Sequence, residues 1–317
     1  MTRTNHDTVE FEQPRGDSFS MFRPQSPEVR IEFGAVSDVG KVRQVNQDHY
    51  MVVRRSRARS ILMTNLPSEG LPYSQDDAFV MVVADGMGGQ AFGEIASRLA
   101  LRSAWDHASE AACWIMKLDE GSEAKVRQQA ETCVKKLNDT ILEQARLHPE
   151  FAGMGTTLTC AYSMGRELVV VHVGDSRAYC LRGNEIRQIT QDHTLAQDLI
   201  DSGMAPESTV AFRHLLTNCL GADSDDVTAE VNFLSLQDGD RLLLCTDGLS
   251  DLVRDEEIAD IVRFGRDSQK TCQTLVDLAL SRGGKDNITV LLARYEIPSQ
   301  ADVDTAEWVI KGGALES

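Results

Sequence analysis

Two apolar strands run straight into an aspartate followed by glycine: Val82-Val83-Ala84-Asp85-Gly86 and Leu243-Leu244-Cys245-Thr246-Asp247-Gly248. Val171-His172-Val173-Gly174-Asp175 ends in much the same way. Asp48 stands just before His49-Tyr50-Met51-Val52-Val53, and Asp286 just before the apolar run that begins at Ile288. One Asp-Gly is an ordinary turn, because Asp hydrogen-bonds its own backbone and Gly tolerates positive φ. Five carboxylates gathered at sheet ends are different, because neighbouring carboxylates repel at neutral pH. If antiparallel pairing brings those ends together, cations must lie between them. Hard divalent ions, Mg2+ or Mn2+, suit carboxylate and carbonyl oxygens. The glycines let backbone carbonyls and a substrate approach closely.

The elements that must position these residues follow from periodicity. Strands are expected at 31–36, 49–53 and 78–84, then two long helices at about 93–116 and 122–148, closed by Pro149. Strands at 156–162, 168–173 and 178–181 follow, with a hairpin turn at Arg182-Gly183-Asn184-Glu185. A short helix is expected at 193–202, strands at 229–234 and 241–245, helices at 255–264 and 268–281, and a last strand at 288–294. Strands come in clusters with helices between clusters. That pattern predicts an α+β fold of antiparallel sheets covered by helices, not a doubly wound parallel sheet. Residues 1–28 read as a flexible tail, 29–297 as one domain and 298–317 as a polar tail. A long exposed loop, bearing Arg54, Arg55, Arg57 and Arg59, is expected at 54–77, and an irregular segment at about 203–226.

Composition narrows the class. The 317 residues are 42% hydrophobic, enough for a sizeable core. The net charge of -17 argues against nucleic acid as a partner, which needs a basic face. Most of those charges read as solvated surface. The seven cysteines contain no CxxC pair, so a zinc site is not expected, and they read as reduced core residues. Residues 1–28 lack the apolar stretch of a signal peptide, and no run suits a membrane span, so a soluble cytoplasmic protein is expected.

Taken in order, the motifs resemble the metal-dependent Ser/Thr protein phosphatases of the PPM family (type 2C), bacterial-type branch. They are Ser37-Asp38-Val39-Gly40-Lys41-Val42-Arg43 leading to Asn46-Gln47-Asp48, then Asp85-Gly86-Met87-Gly88-Gly89 leading to Gly93-Glu94-Ile95-Ala96-Ser97. Gly155-Thr156-Thr157, Val173-Gly174-Asp175-Ser176-Arg177-Ala178, Thr246-Asp247-Gly248-Leu249 and Asp286-Asn287 follow. The resemblance spans about Phe33 to Tyr295. It implies a four-layer α/β/β/α sandwich, two antiparallel β-sheets flanked by helices. It also implies hydrolysis of phosphoserine and phosphothreonine in proteins by a water activated between two metal ions. By the same resemblance, Asp48, Asp85, Asp247, Asp286 and the Gly86 carbonyl would hold two Mg2+ or Mn2+ ions. Asp175, with Asp247, would hold a third, weaker one. Arg43 is the candidate phosphate clamp, since a guanidinium grips two phosphate oxygens in a planar fork. Its bland alternative is a surface ion pair. Thr156 and Thr157 read as core support.

Three positions depart from the family. Met87 and Gln90 stand where relatives carry a histidine proposed as general acid. His49 and His193 are the nearest histidines in the motifs, and a structural role is expected for both. Gln47 stands where many members have Glu. The segment 205–218, with Arg213 and His214, corresponds to the family's flap beside the site. The implied partners are phosphorylated proteins, a Ser/Thr kinase or its targets, with no nucleic acid and no membrane. Two alternatives are a small-molecule phosphatase, served by the same chemistry, and a non-catalytic phosphoprotein-binding pseudophosphatase, which predicts a missing metal ligand.

Overall fold

Strict alternation along each central strand sorts side chains between two different cores. In the computed structural model, which describes residues 29–58, 75–88, 92–115, 123–222 and 226–298, strand β12 (Arg241–Cys245) shows this plainly. Leu242 and Leu244 face a core shared by two sheets, whereas Leu243 and Cys245 face a core under helices. Strand β3 (Gln75–Ala84) does the same, with Met81 and Val83 on the shared side and Val82 and Ala84 on the helix side.

The described residues form two five-stranded sheets, all of whose pairings are antiparallel. One runs β1 (Arg30–Asp38), β13 (Ile288–Glu296), β12, β8 (Arg177–Arg182), β9 (Glu185–Gln188). The other runs β11 (Glu230–Ser235), β7 (Glu167–Val173), β6 (Leu158–Met164), β3, β2 (His49–Ala58). Helices α5 (Asp255–Phe264) and α6 (Ser268–Ser281) cover the first sheet, through Ile258, Val262, Leu275 and Val276. Helices α1 (Phe92–Ile115) and α2 (Glu123–Leu147) cover the second, through Ala96, Ala100, Leu137 and Ile141. The result is the four-layer α/β/β/α sandwich that the resemblance implied.

Three short pieces escape periodicity: β4 (Gly86–Met87), β5 (Gly155–Thr156) and β10 (Leu220–Gly221) make a small third sheet. Two residues are too few to carry a period-two signal. The 54–77 segment needs correction. β2 continues to Ala58 and β3 begins at Gln75, with Arg54 opposite Phe79 and Ser56 opposite Asp77. Arg54 ion-pairs Asp77 beside it, so charge that read as loop is cross-strand pairing. Residues 59–74, the tails 1–28 and 299–317, and Gln90 lie outside the described residues. Cys133, Cys160, Cys180, Cys219, Cys245 and Cys272 are free thiols, and the last four are buried.

Close backbone approach fixes how α6 lies on β1. A Cβ on Gly34 would sit 2.2 Å from the Ser268 carbonyl carbon. Gly34→Ala is expected to cost about 1–3 kcal/mol by overpacking. Urea unfolding checks it, and a midpoint equal to the parent's would contradict the packing.

Candidate metal centre

Antiparallel pairing puts the end of one strand beside the start of its neighbour. His49 pairs with Ala84, so Asp48 and Asp85 flank the same sheet end. Cys245 pairs with Val290, which brings Asp247 and Asp286 to the matching end of the other sheet. Leu158 pairs with Val173, adding the Gly174-Asp175 turn. All five predicted aspartates therefore lie at one edge of the sandwich.

Asp48 bridges the two sheets. The residue is 4% exposed, and its Oδ2 accepts from Thr246 Oγ1 and Thr289 Oγ1, each at 2.8 Å. Thr289 lies on β13 and Thr246 directly follows β12, both in the opposite sheet's half of the sandwich. Asp85 is held by its backbone: its N–H donates to Thr157 Oγ1 at 2.9 Å, and its carbonyl accepts from Thr157 N–H and Thr156 Oγ1. Thr156 and Thr157, read from sequence as core support, are buried and hold the Asp85 turn. Asp247 opens a single helical turn (Asp247–Ser250), and that turn packs so tightly that a Cβ on Gly248 would lie 1.9 Å from the Asn287 carbonyl oxygen. Gly86 and Gly93 meet back to back, a Cβ on Gly86 landing 2.1 Å from the Gly93 carbonyl. Only glycine at both positions lets α1 begin this close to the Asp85 turn.

Asn287 organises the loop that carries Arg43. Its Oδ1 accepts from Gln47 N–H at 2.8 Å, and its Nδ2 donates to the carbonyls of Val39 and Val45 at 2.9 and 3.0 Å. Arg43 consequently stands at the edge of the cluster, half exposed, with Nη2 2.6 Å from Asp286 Oδ2. Both readings of Arg43 meet here: it is an ion pair, and its partner is a cluster aspartate.

The electrostatics are those of crowded acids. Burial pushes Asp48 up to about 6, against the hydroxyls of Thr289 and Thr246, which favour its charged form. Burial also raises Asp85 and Asp247 well above the ordinary carboxylate range; Asp48 adds to the rise of Asp85, and Asp175 to that of Asp247. Asp175 is pushed up to about 7 by burial and by Asp192 and Asp251. Two carboxylate oxygens, Asp48 Oδ1 and Asp247 Oδ1, are buried without a hydrogen-bond partner. An orphaned buried carboxylate oxygen is costly unless a cation satisfies it. Repelling acids with unfilled oxygens are the donor set that a hard divalent ion fits.

The histidines do not reach the aspartates. His49 Nδ1 bonds Ser97 Oγ on α1, and His193 Nδ1 bonds the Gly174 amide. Met87 packs its terminal methyl toward Gly155. Sequence reasoning missed Thr246 and Thr289 as holders of Asp48 and gave Asn287 no role. Their signal was adjacency to the motif aspartates, in Thr246-Asp247 and Asp286-Asn287-Ile288-Thr289.

Residues 72–278 match the family model "Protein phosphatase 2C". The chain belongs to that family. The serine/threonine protein phosphatase PstP of Mycobacterium tuberculosis is 37% identical over 219 residues, 68% of this chain and 40% of that protein. The chain thus spans less than half of that relative's length. The serine/threonine phosphatase stp of Listeria welshimeri is 33% identical over 236 residues, 74% of this chain and 91% of the relative. Among solved structures, the catalytic domain of PstP in complex with two manganese ions superposes with a TM-score of 0.64 at 32% identity. That superposition covers 85% of this chain and all of that one. Stp1 of Staphylococcus aureus superposes at 0.68 with 27% identity, over 86% of this chain and 98% of its own.

The raised acids predict an inverted pH response in the metal-free protein. Unfolded carboxylates titrate near 4, whereas Asp48 and Asp175 hold their protons to about 6 and about 7 when folded. The native state therefore binds more protons in that window, and the stability these groups contribute is lost as pH rises through it. In chelator, Asp85→Asn should melt at least about 2 °C above the parent at pH 7.5, with a smaller gap at pH 4.5. A gap that is constant across pH would remove the repulsion.

Proposed function

We propose that this chain hydrolyses phosphoserine and phosphothreonine in proteins, with Asp48, Asp85, Asp247, Asp286 and the Gly86 carbonyl holding two Mg2+ or Mn2+ ions. The observation that carries this reading is the pair of orphaned carboxylate oxygens, one from each sheet, inside a cluster of acids that cannot all ionise unaided. Family membership and the manganese bound by the PstP domain support it. Bound there, the ions would acidify a water for attack on phosphorus and neutralise charge on the phosphoryl oxygens.

The protein's own residues then do three things. Thr246 and Thr289 fix the free edge of Asp48 by occupying its other oxygen, so the carboxylate cannot rotate away. Thr157 holds the Asp85 turn, and with it the Gly86 carbonyl, through backbone bonds that no side-chain movement disturbs. Arg43 stands where its guanidinium can leave Asp286 for two oxygens of an arriving phosphate, a bidentate grip that Lys cannot copy. Met87 has no proton to give and His49 and His193 are bonded elsewhere, so protonation of the leaving alkoxide falls to water or to another residue. Asp175 is offered to a third, weaker ion. The 205–218 segment, which the resemblance sets beside the site as a flap, favours protein substrates over small esters.

Two outcomes test the reading. Phosphate release from a phosphothreonine peptide should require Mn2+, and Asp247→Asn should lower it by at least about a hundredfold. Equal rates, or full activity in chelator, would sink the mechanism. Arg43→Ala should raise KM for the peptide about tenfold, the worth of a charge-assisted contact, while Mn2+ affinity by calorimetry changes little. An unchanged KM would take Arg43 out of the phosphate site.

A further inference from the structure

His193 is the joint between two segments that the proposed reaction needs. Its Nδ1 lies 3.1 Å from the Gly174 amide and 3.1 Å from Asn218 Nδ2. An N–H can only donate, so Nδ1 is the accepting nitrogen and the ring proton sits on Nε2, which faces the Glu230 carboxylate at 3.6 Å. Glu230 is itself held, accepting from the Gln191 amide and from Asn232 Nδ2. The backbone of His193 completes the joint: its N–H donates to the Gly174 carbonyl at 2.7 Å, and its carbonyl accepts from Thr217 N–H at 2.9 Å.

Both polar groups of Gly174 are thus taken by imidazoles and their backbone. His172 Nε2 also approaches the Gly174 and Gln191 carbonyls, at 2.9 and 3.1 Å, so it donates to both. Burial drives the His172 ring down to about 3, which keeps it neutral. His172, His193 and Glu230 do bring ligand atoms within 4.8 Å of one another. Their nitrogens are already committed to these bonds, so the trio is an orienting network rather than a metal site. Gly174 has φ +111 and a Cβ there would strike Thr157 at 2.6 Å, so this peptide has one conformation to be held in. The residue it positions is Asp175.

The other end of the joint is the stem of the 204–218 segment. Leu195 N–H donates to the Leu215 carbonyl, and Thr194 bridges Leu216. That segment offers Met204, Val210 and Leu215 to solvent, at 42%, 54% and 42% exposure. Its stem lies beside the Asp175 turn, since His193 bonds both Thr217 and Gly174 through its backbone.

We propose that His193 is a positioning residue that makes the Asp175 turn and the 204–218 segment one unit. A protein substrate lying on the apolar segment is thereby registered against the aspartates, whereas a small ester needs only Asp48, Asp85, Asp247 and Asp286. This inference rests on the phosphatase reading. His193→Leu keeps bulk and removes the acceptor, and His193→Asn restores an acceptor where Nδ1 sits. In the metal-free protein, hydrogen exchange of amides 174–177 and 204–218 should rise together, by about tenfold, in His193→Leu. With Mn2+, kcat/KM for a phosphothreonine peptide should fall about tenfold through KM, while p-nitrophenyl phosphate changes less than about threefold. His193→Asn should return each value close to the parent's. Faster exchange in only one segment, equal losses on both substrates, or an Asn variant as impaired as Leu would each overturn the proposal. If the parent hydrolyses neither ester, the phosphatase reading fails and takes the substrate half with it; the exchange comparison still decides whether His193 joins the segments.

Discussion

A single buried carboxylate ties the two sheets together at the edge where the chemistry is proposed. Asp48 leads into β2 in one sheet, and the hydroxyls that hold it come from Thr246 and Thr289 in the other sheet's half of the sandwich. Thr289 Oγ1 also meets Ser37 Oγ, and Ser37 accepts from Asn46 Nδ2, whose Oδ1 in turn accepts from the Asp48 amide. The network is closed on its protein side and open on one oxygen. That asymmetry is what a cation site requires: a carboxylate fixed in orientation, with a lone pair left to give. A buried network with one unfilled acceptor is expensive in the metal-free chain. Ion binding would offset that cost, linking metal and stability.

Glycine supplies the second constraint. The acids can gather only because backbone meets backbone around them. Gly86 faces Gly93, Gly248 faces the Asn287 carbonyl, and Gly40, at φ +78, would otherwise strike the Asp286 carbonyl at 2.2 Å. Each contact replaces side-chain volume with main chain, so strands, loop and helix starts converge within a few ångströms. The Asp-Gly pairs that look like turn chemistry in sequence are turns here too. Their glycines matter for what approaches them as much as for φ.

Charge crowding and its relief run through the rest of the edge. Arg43 pairs with Asp286, and Arg177 is clamped on Asp192 by three hydrogen bonds between 2.6 and 3.1 Å. Asp192 precedes His193, so the arginine steadies the joint between the Asp175 turn and the 204–218 segment. Cations of the protein thus frame the acids without entering their centre, which leaves the centre for divalent ions.

By itself the sequence determined the strands, the helices, the antiparallel class and the strand-end aspartates, because period and turn chemistry are local properties of the chain. The ordered motifs added the family and the four layers. Tertiary structure decided which partners complete each carboxylate. Thr246 and Thr289 meet Asp48 across 198 and 241 residues, and no local pattern encodes such a meeting. It also decided that β2 and β3 run through Arg54 and Asp77, since a cross-strand ion pair masks the hydrophobic alternation. Two-residue strands such as Gly86–Met87 exist only because a neighbour is there to pair with. His193, read as structural from sequence, acquires its significance from Gly174 on one side and Asn218 on the other. Those contacts arise from packing, and packing alone specifies them.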